Sequence, residues 1–121
     1  MDIFSETIID HYKHPSNKGR LKNPSVSIRE VNPLCGDKLQ IDLIIDSKGK
    51  IKEIGILPEG CAISTASASL LSEKLKGKSL KEIEKLTEKD IFKMLGTKIN
   101  PGRIKCAMLP LLTIKKAFEK I

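Results

Sequence analysis

The chain has 121 residues, a formal net charge of +7, 40% apolar content and three cysteines. This length builds one core and therefore one domain, residues 1–121. The apolar residues are mostly Ile, Leu and Ala, with three Phe, one Tyr and no Trp, so the core is aliphatic and few rings are left to stack on bases. The lysines are scattered and interleaved with glutamate, as in Lys74-Leu75-Lys76-Gly77-Lys78 followed by Lys81-Glu82-Ile83-Glu84-Lys85. Such a basic surplus reads as a solvated surface and not as a nucleic-acid patch. Asp2, Glu6 and Asp10 interrupt the only N-terminal apolar run, and no run approaches membrane-spanning length. The expectation is a cytoplasmic protein with no membrane partner.

Phe4, Ile8 and Tyr12 recur one helical turn apart, which predicts a short amphipathic helix over residues 3–12 with Asp2 as its N-cap. His14-Pro15 ends it, and the turn-rich stretch to residue 25 leads into a strand over Val26 to Val31. The clearest strand is Lys38 to Asp46, where Leu39, Ile41, Leu43 and Ile45 alternate with Gln40, Asp42 and Asp46, so one face is buried. Ser47-Lys48-Gly49-Lys50 makes the turn, and Ile51 to Leu57 is the returning strand.

Opposed residues of this hairpin lie at equal distances from the turn, which places Cys35 and Cys61 together at its open end. A bulge near Pro58 or Gly60 would shift that register. In extended chain, residues two apart share a face, so Cys35 and Asp37 point the same way.

Ala62 to Lys76 reads as a helix with Ile63, Ala66, Leu70 and Leu71 as its stripe and Gly77 as its stop. The Ala, Ser, Thr and Ile of its first turns suit close packing. Ser79 with Glu82 forms a capping box for a helix through Leu86, and Thr87 with Asp90 opens another that ends before Gly96. The last helix carries Leu111, Ile114, Phe118 and Ile121 on one face. Proline fits the first turn of a helix, so Pro110 predicts a start close to residues 106–109. Cys61 and Cys106 then both stand at helix N-termini, where the dipole favours thiolate, and Arg103 and Lys105 add positive charge beside Cys106.

Three thiolates and a carboxylate, from Cys35, Cys61, Cys106 and Asp37, supply four ligands for a tetrahedral centre that takes zinc or an iron-sulfur cluster. The chain has no Cys-x-x-Cys pair, so the ligands must converge from separate elements. An oxygen donor in place of a fourth thiolate holds a cluster less firmly, which suits a protein that gives its metal away. The competing reading takes the cysteines as small buried apolar residues. His11 and His14 read as surface or capping residues of the first helix.

Four motifs in order carry a family resemblance across essentially the whole chain. They are Asp10-His11-Tyr12-Lys13-His14-Pro15 with Asn17 and Gly19, then Asn32-Pro33-Leu34-Cys35-Gly36-Asp37, then Gly60-Cys61-Ala62-Ile63-Ser64 with Ala66-Ser67-Ala68-Ser69, and Arg103-Ile104-Lys105-Cys106. In these the chain resembles the scaffold proteins of iron-sulfur cluster assembly of the IscU, SufU and NifU N-terminal type. The resemblance implies an α/β (α+β) domain, SufE/NifU-like, in which helices cover a small three-stranded antiparallel sheet. It implies a scaffold or carrier, not an enzyme, that accepts sulfur from a cysteine desulfurase, binds ferrous iron and a transient [2Fe-2S] cluster, and passes the cluster to client apoproteins. Zinc can stand in place of the cluster. Cys35, Asp37, Cys61 and Cys106 would be the ligands, Cys35 and Cys106 the persulfide acceptor candidates, and a homodimer around the cluster is one arrangement.

Two departures from the IscU pattern stand out. Lys105 occupies the place of a histidine before the third cysteine, as in SufU members, where it could pair with Asp37. Ile99-Asn100-Pro101-Gly102-Arg103 replaces the Leu-Pro-Pro-Val-Lys motif that IscU members offer to a dedicated Hsp70 chaperone, so chaperone-driven delivery is not implied. The chain also lacks the insertion that SufU members carry between the second and third cysteines. The alternative is a zinc-dependent persulfide acceptor, a sulfurtransferase of SufU type.

Overall fold

A computed structural model describes residues 6–33, 36–96 and 99–120. The N-cap role of Asp2, the helical position of Phe4, the stripe position of Ile121 and the ligand Cys35 lie outside the described residues.

The alternating segments form β1 (Val26–Val31), β2 (Lys38–Ile45) and β3 (Ile51–Glu59), one antiparallel sheet in the order β1-β2-β3. Leu43 pairs with Val26 and Ile54, and Ile41 with Ile28 and Ile56, so each cross-strand row delivers three aliphatic side chains to the core. The hairpin keeps one register from Lys38 opposite Glu59 to Ile44 opposite Glu53, and its irregularity falls between Ile44 and Ile45, beside the turn. There Asp46 accepts the N–H groups of Lys48 and Lys50 at 2.9 and 3.0 Å. The open end, where Pro58 and Gly60 left room for a bulge, is regular through Glu59.

β3 runs past the expected Leu57 and includes Pro58. Ile56, two residues earlier and turned the same way, donates its N–H to Asn17 O at 2.9 Å and not to β2. The missing N–H of Pro58 therefore faces away from the ladder, the one orientation a strand proline tolerates.

The helices are α1 (Glu6–Lys13), α2 (Ala62–Leu75), α3 (Leu80–Glu84), α4 (Glu88–Leu95) and α5 (Ile104–Glu119). α2 is the spine, packed against α1, α4, α5 and β3. Ile63, Ala66 and Leu71 are buried as expected, and so are Ser64, Thr65, Ser67, Ser69 and Ser72. Their hydroxyls find local partners, as Ser67 Oγ does in Ala107 O of α5 at 2.7 Å and Ser72 Oγ in Ser69 O at 2.7 Å, so small polar residues permit close packing without stranded donors. Ser79 caps α3, which ends short of Leu86, while Thr87 and Asp90 form the capping box of α4 and Gly96, at φ 71°, closes it.

The start of α5 differs from expectation. It begins at Ile104, after a 3₁₀ turn over Pro101–Arg103 in which Asn100 Oδ1 accepts Gly102 N–H at 2.9 Å. Pro110 is thus inside the helix and not in its first turn. An interior proline costs about 3 kcal/mol in lost hydrogen bonding and ring crowding. Burial of Ala107, Leu109, Leu111, Ile114, Ala117 and Phe118 along the same helix offsets that cost.

The polar face of the sheet also departs from simple alternation. Asp42 is only 1% exposed, because the loop of residues 14–25 crosses over it. Arg20 Nε reaches Asp42 Oδ2 at 2.6 Å, Leu21 N–H donates to the same oxygen at 3.1 Å, and Ser27 Oγ donates to Oδ1. Burial pushes the Asp42 pKa up, but these hydrogen bonds and the Arg20 charge outweigh it and hold the carboxyl below its usual value.

Candidate metal centre

Three elements meet at the open end of the β2–β3 hairpin. Asn32 N–H donates to Asp37 O at 2.8 Å and Gly36 N–H to Asn32 O at 2.7 Å, closing the loop between β1 and β2 with Gly36 at φ 76°. This conformation suits glycine and delivers Asp37, 6% exposed, to the mouth of β2. Across the hairpin, Cys61 is the N-cap of α2, and its Sγ accepts Ser64 N–H at 3.4 Å. Ser64 Oγ lies 3.7 Å from the same sulfur. Cys106 sits in the first turn of α5 and is buried.

The two thiols and the carboxylate each present a ligand atom within 4.8 Å of the others. Asp37 is tied to this arrangement by its Oδ1, which accepts Cys61 N–H at 3.1 Å. The approach is close enough that only glycine fits at residue 60, since a Cβ there would stand 2.8 Å from Asp37 Cγ and 2.6 Å from Ser64 Oγ. Soft sulfur with one hard oxygen fits Zn²⁺ or iron, and donors drawn from a loop, a helix cap and a helix first turn leave the centre open on one side. A cleft of about 380 Å³ provides that opening, lined by Asp37, Cys61, Asn100, Gly102, Arg103 and Cys106.

Sequence reasoning brought Asp37, Cys61 and Cys106 to one place, although Pro110 was the wrong reason for Cys106. Cys35 lies outside the described residues. Lys105 is exposed and lines a neighbouring groove between β1 and α5; among the described residues the cation lining the cleft is Arg103, and no ion pair joins Lys105 to Asp37. His11 is half-buried with Nδ1 2.6 Å from Ser69 Oγ, a tether of α1 to α2, and His14 is exposed. Neither joins the ligand cluster. Ser64 and Asn100 were not singled out; the helix-cap position three residues after Cys61 was the available signal for Ser64.

Residues 3–121 match the NifU-like N terminal domain family. The chain belongs to that family. It is 36% identical over 117 residues to the iron-sulfur cluster assembly scaffold protein IscU of Haemophilus influenzae, covering 94% of this chain and 91% of the relative. It is 31% identical to the zinc-dependent sulfurtransferase SufU of Bacillus subtilis, covering 98% of this chain and 90% of the relative. That alignment runs over 135 positions, more than the 121 residues present here, so the SufU relative carries extra residues. Among solved structures, a SufU protein of Fervidobacterium islandicum AW-1 superposes with a TM-score of 0.82 at 28% identity, covering 95% of this chain and 96% of the other. The three-stranded antiparallel sheet with its covering helices is the fold expected from the resemblance.

Proposed function

We propose that this protein is a scaffold for iron-sulfur cluster assembly, which accepts sulfur from a cysteine desulfurase, binds iron, holds a [2Fe-2S] cluster transiently and hands it to client apoproteins. The observation that carries the reading is the convergence of Asp37, Cys61 and Cys106 within 4.8 Å at the mouth of an open cleft. Cys35, two positions before Asp37 in the sequence, would bring the set to three sulfur donors and one carboxylate. Sulfur arrives when a cysteine thiolate attacks the desulfurase persulfide; a new S–S bond forms as the old one breaks and the desulfurase cysteine leaves as thiolate. Cys35 and Cys106 are the acceptor candidates. A reducing cytoplasm is the setting that keeps three thiols available for this exchange.

Anaerobic reconstitution with ferrous iron, cysteine, an electron donor and a desulfurase is expected to give a cluster spectrum that is lost in Cys35→Ala, Cys61→Ala and Cys106→Ala. Retention of the spectrum in all three variants refutes the assignment. A second reading, a zinc-bearing persulfide acceptor of SufU type, is favoured by Lys105 before Cys106 and by the SufU relative. Firm stoichiometric zinc that accelerates desulfurase turnover, with no cluster formed, selects it.

A further inference from the structure

The two edges of the sheet are treated differently. On β3 the outward backbone of Ile56 is satisfied by the loop at residues 17–19, its N–H reaching Asn17 O at 2.9 Å and its carbonyl accepting Gly19 N–H at 2.8 Å. On β1 the bond from Asn32 N–H to Asp37 O fixes the alternation, so that Glu30, Ile28 and Val26 exchange their ladder bonds with β2. Ser27, Arg29 and Val31 therefore turn their N–H and C=O groups away from the sheet. Among the described residues no strand or bridge pairs with that edge.

Beside the edge lies a groove of about 470 Å³ between β1 and α5, with buried Leu109 beneath and Val31 and Leu112 at its sides. Val31 is 46% and Leu112 52% exposed, the most of any large aliphatic side chain among the described residues. The surroundings are cationic. Lys105 and Lys116 line the groove, with Glu30, 3.1 Å from Lys116, as the one carboxylate lining it, and Arg29 stands exposed on the opposite face of the strand.

We propose that the β1 edge and this groove form a docking surface for an acidic, extended segment of a partner protein, which adds as a further strand and seats an aliphatic side chain between Val31 and Leu112. Main-chain bonds to Ser27, Arg29 and Val31 supply the pairing, and the groove reads alternate side chains. A second copy of the chain is disfavoured, because pairing β1 with itself sets Arg29 near Arg29 and brings like-charged rims together. Carboxylates on the incoming strand meet opposite charge instead. Val31 leads through Asn32 and Pro33 toward Asp37, and Lys105 adjoins Cys106, so the docked segment flanks the metal centre without depending on its contents.

The test is amide hydrogen exchange and an NMR titration of the full chain with a capped peptide alternating valine and glutamate. Slowed exchange is expected at Ser27, Arg29 and Val31, with binding weakened about tenfold by Arg29→Glu, on the face that the glutamates meet when the valines enter the groove. The same peptide N-methylated at every residue is expected not to bind, since neither of its edges can then donate to the strand. Leu112→Ser, at an exposed position, is expected to weaken binding with an unchanged circular dichroism spectrum. The proposal is overturned by shifts confined to other regions, by equal binding of a valine-lysine peptide, or by no response at millimolar peptide. Protection of the same amides on raising protein concentration alone assigns the edge to a second copy and equally overturns it.

Discussion

Asp37 Oδ1 accepts the Cys61 N–H at 3.1 Å, so the carboxylate of the proposed donor set also holds the cap of α2 in place. Its two roles separate on substitution. Loss of the charged acceptor in Asp37→Ala is expected to lower stability by about 1–3 kcal/mol, read from denaturant midpoints. The same variant removes the one hard donor of the proposed set, so a reconstituted cluster should outlive the wild-type one when transfer to an apo acceptor is followed in the visible spectrum. Lower stability with unchanged transfer would reduce Asp37 to a structural residue. Gly60 gives an independent probe of the same corner. A methyl group at Gly60 meets Asp37 Cγ at 2.8 Å and Ser64 Oγ at 2.6 Å, and both neighbours are buried and bonded, so neither can yield without moving a ligand. Gly60→Ala is expected to weaken Co²⁺ or Zn²⁺ binding about tenfold or more, as loss of ligand-orienting contacts does elsewhere. Gly102→Ala is the matched control, because the nearest atom to its Cβ is Asn100 Oδ1 at an ordinary 3.5 Å.

At the scale of elements, α5 shows where local rules and tertiary context part. Pro110 argued for a helix start near Cys106, yet the helix begins at Ile104 because the 3₁₀ turn and the Asn100 cap supply its nucleus upstream. Propensity describes an isolated helix, whereas α5 is held by packing against α2 and β1. Cys106 kept its place in the first turn under either account, so the site was legible while the element boundary was not. Pro110→Ala restores an N–H aimed at the Cys106 carbonyl and removes the ring from the preceding turn. It is expected to raise the unfolding free energy by about 1–2 kcal/mol, less than the full interior-proline cost because buried apolar surface is lost with the ring. A lowered thermal midpoint would show instead that the ring's packing dominates. The strands were more legible than the helix ends, since aliphatic residues at period two leave a single register that buries them: Leu39, Ile41 and Leu43 admit no one-residue slip. The close packing of α2 was legible in its small residues, and burial of Ser64, Ser67 and Ser69 bears it out, while the partners of their hydroxyls come from neighbours that no local pattern names.

For the molecule as a whole, the burial of Asp42 was the least legible feature, since alternation alone sends it to solvent and only the crossing of residues 14–25 covers it. That crossing ties the loop to the sheet through Arg20 and Leu21, beside the Ser27 bond from β1, and it is expected to make the fold acid-sensitive. The folded-state pKa of Asp42 lies below its ordinary value despite burial, because the hydrogen bonds and the Arg20 charge favour the ionised form. The ionised group therefore stabilises the fold at pH above the unfolded value, and this contribution disappears as pH falls through the folded value. Asp46, Glu82 and Asp90 are displaced in the same direction, but Glu82 is exposed and Asp46 and Asp90 are only half-buried, so added salt weakens their share. Asp42, with no exposed side-chain surface, is screened far less. Urea midpoints followed from neutral pH down through the carboxylate range at high salt should keep a steep acid limb in the wild type. In Asp42→Asn the neutral-pH midpoint should drop and that limb should flatten, whereas an unchanged limb would place the acid sensitivity in the other carboxylates.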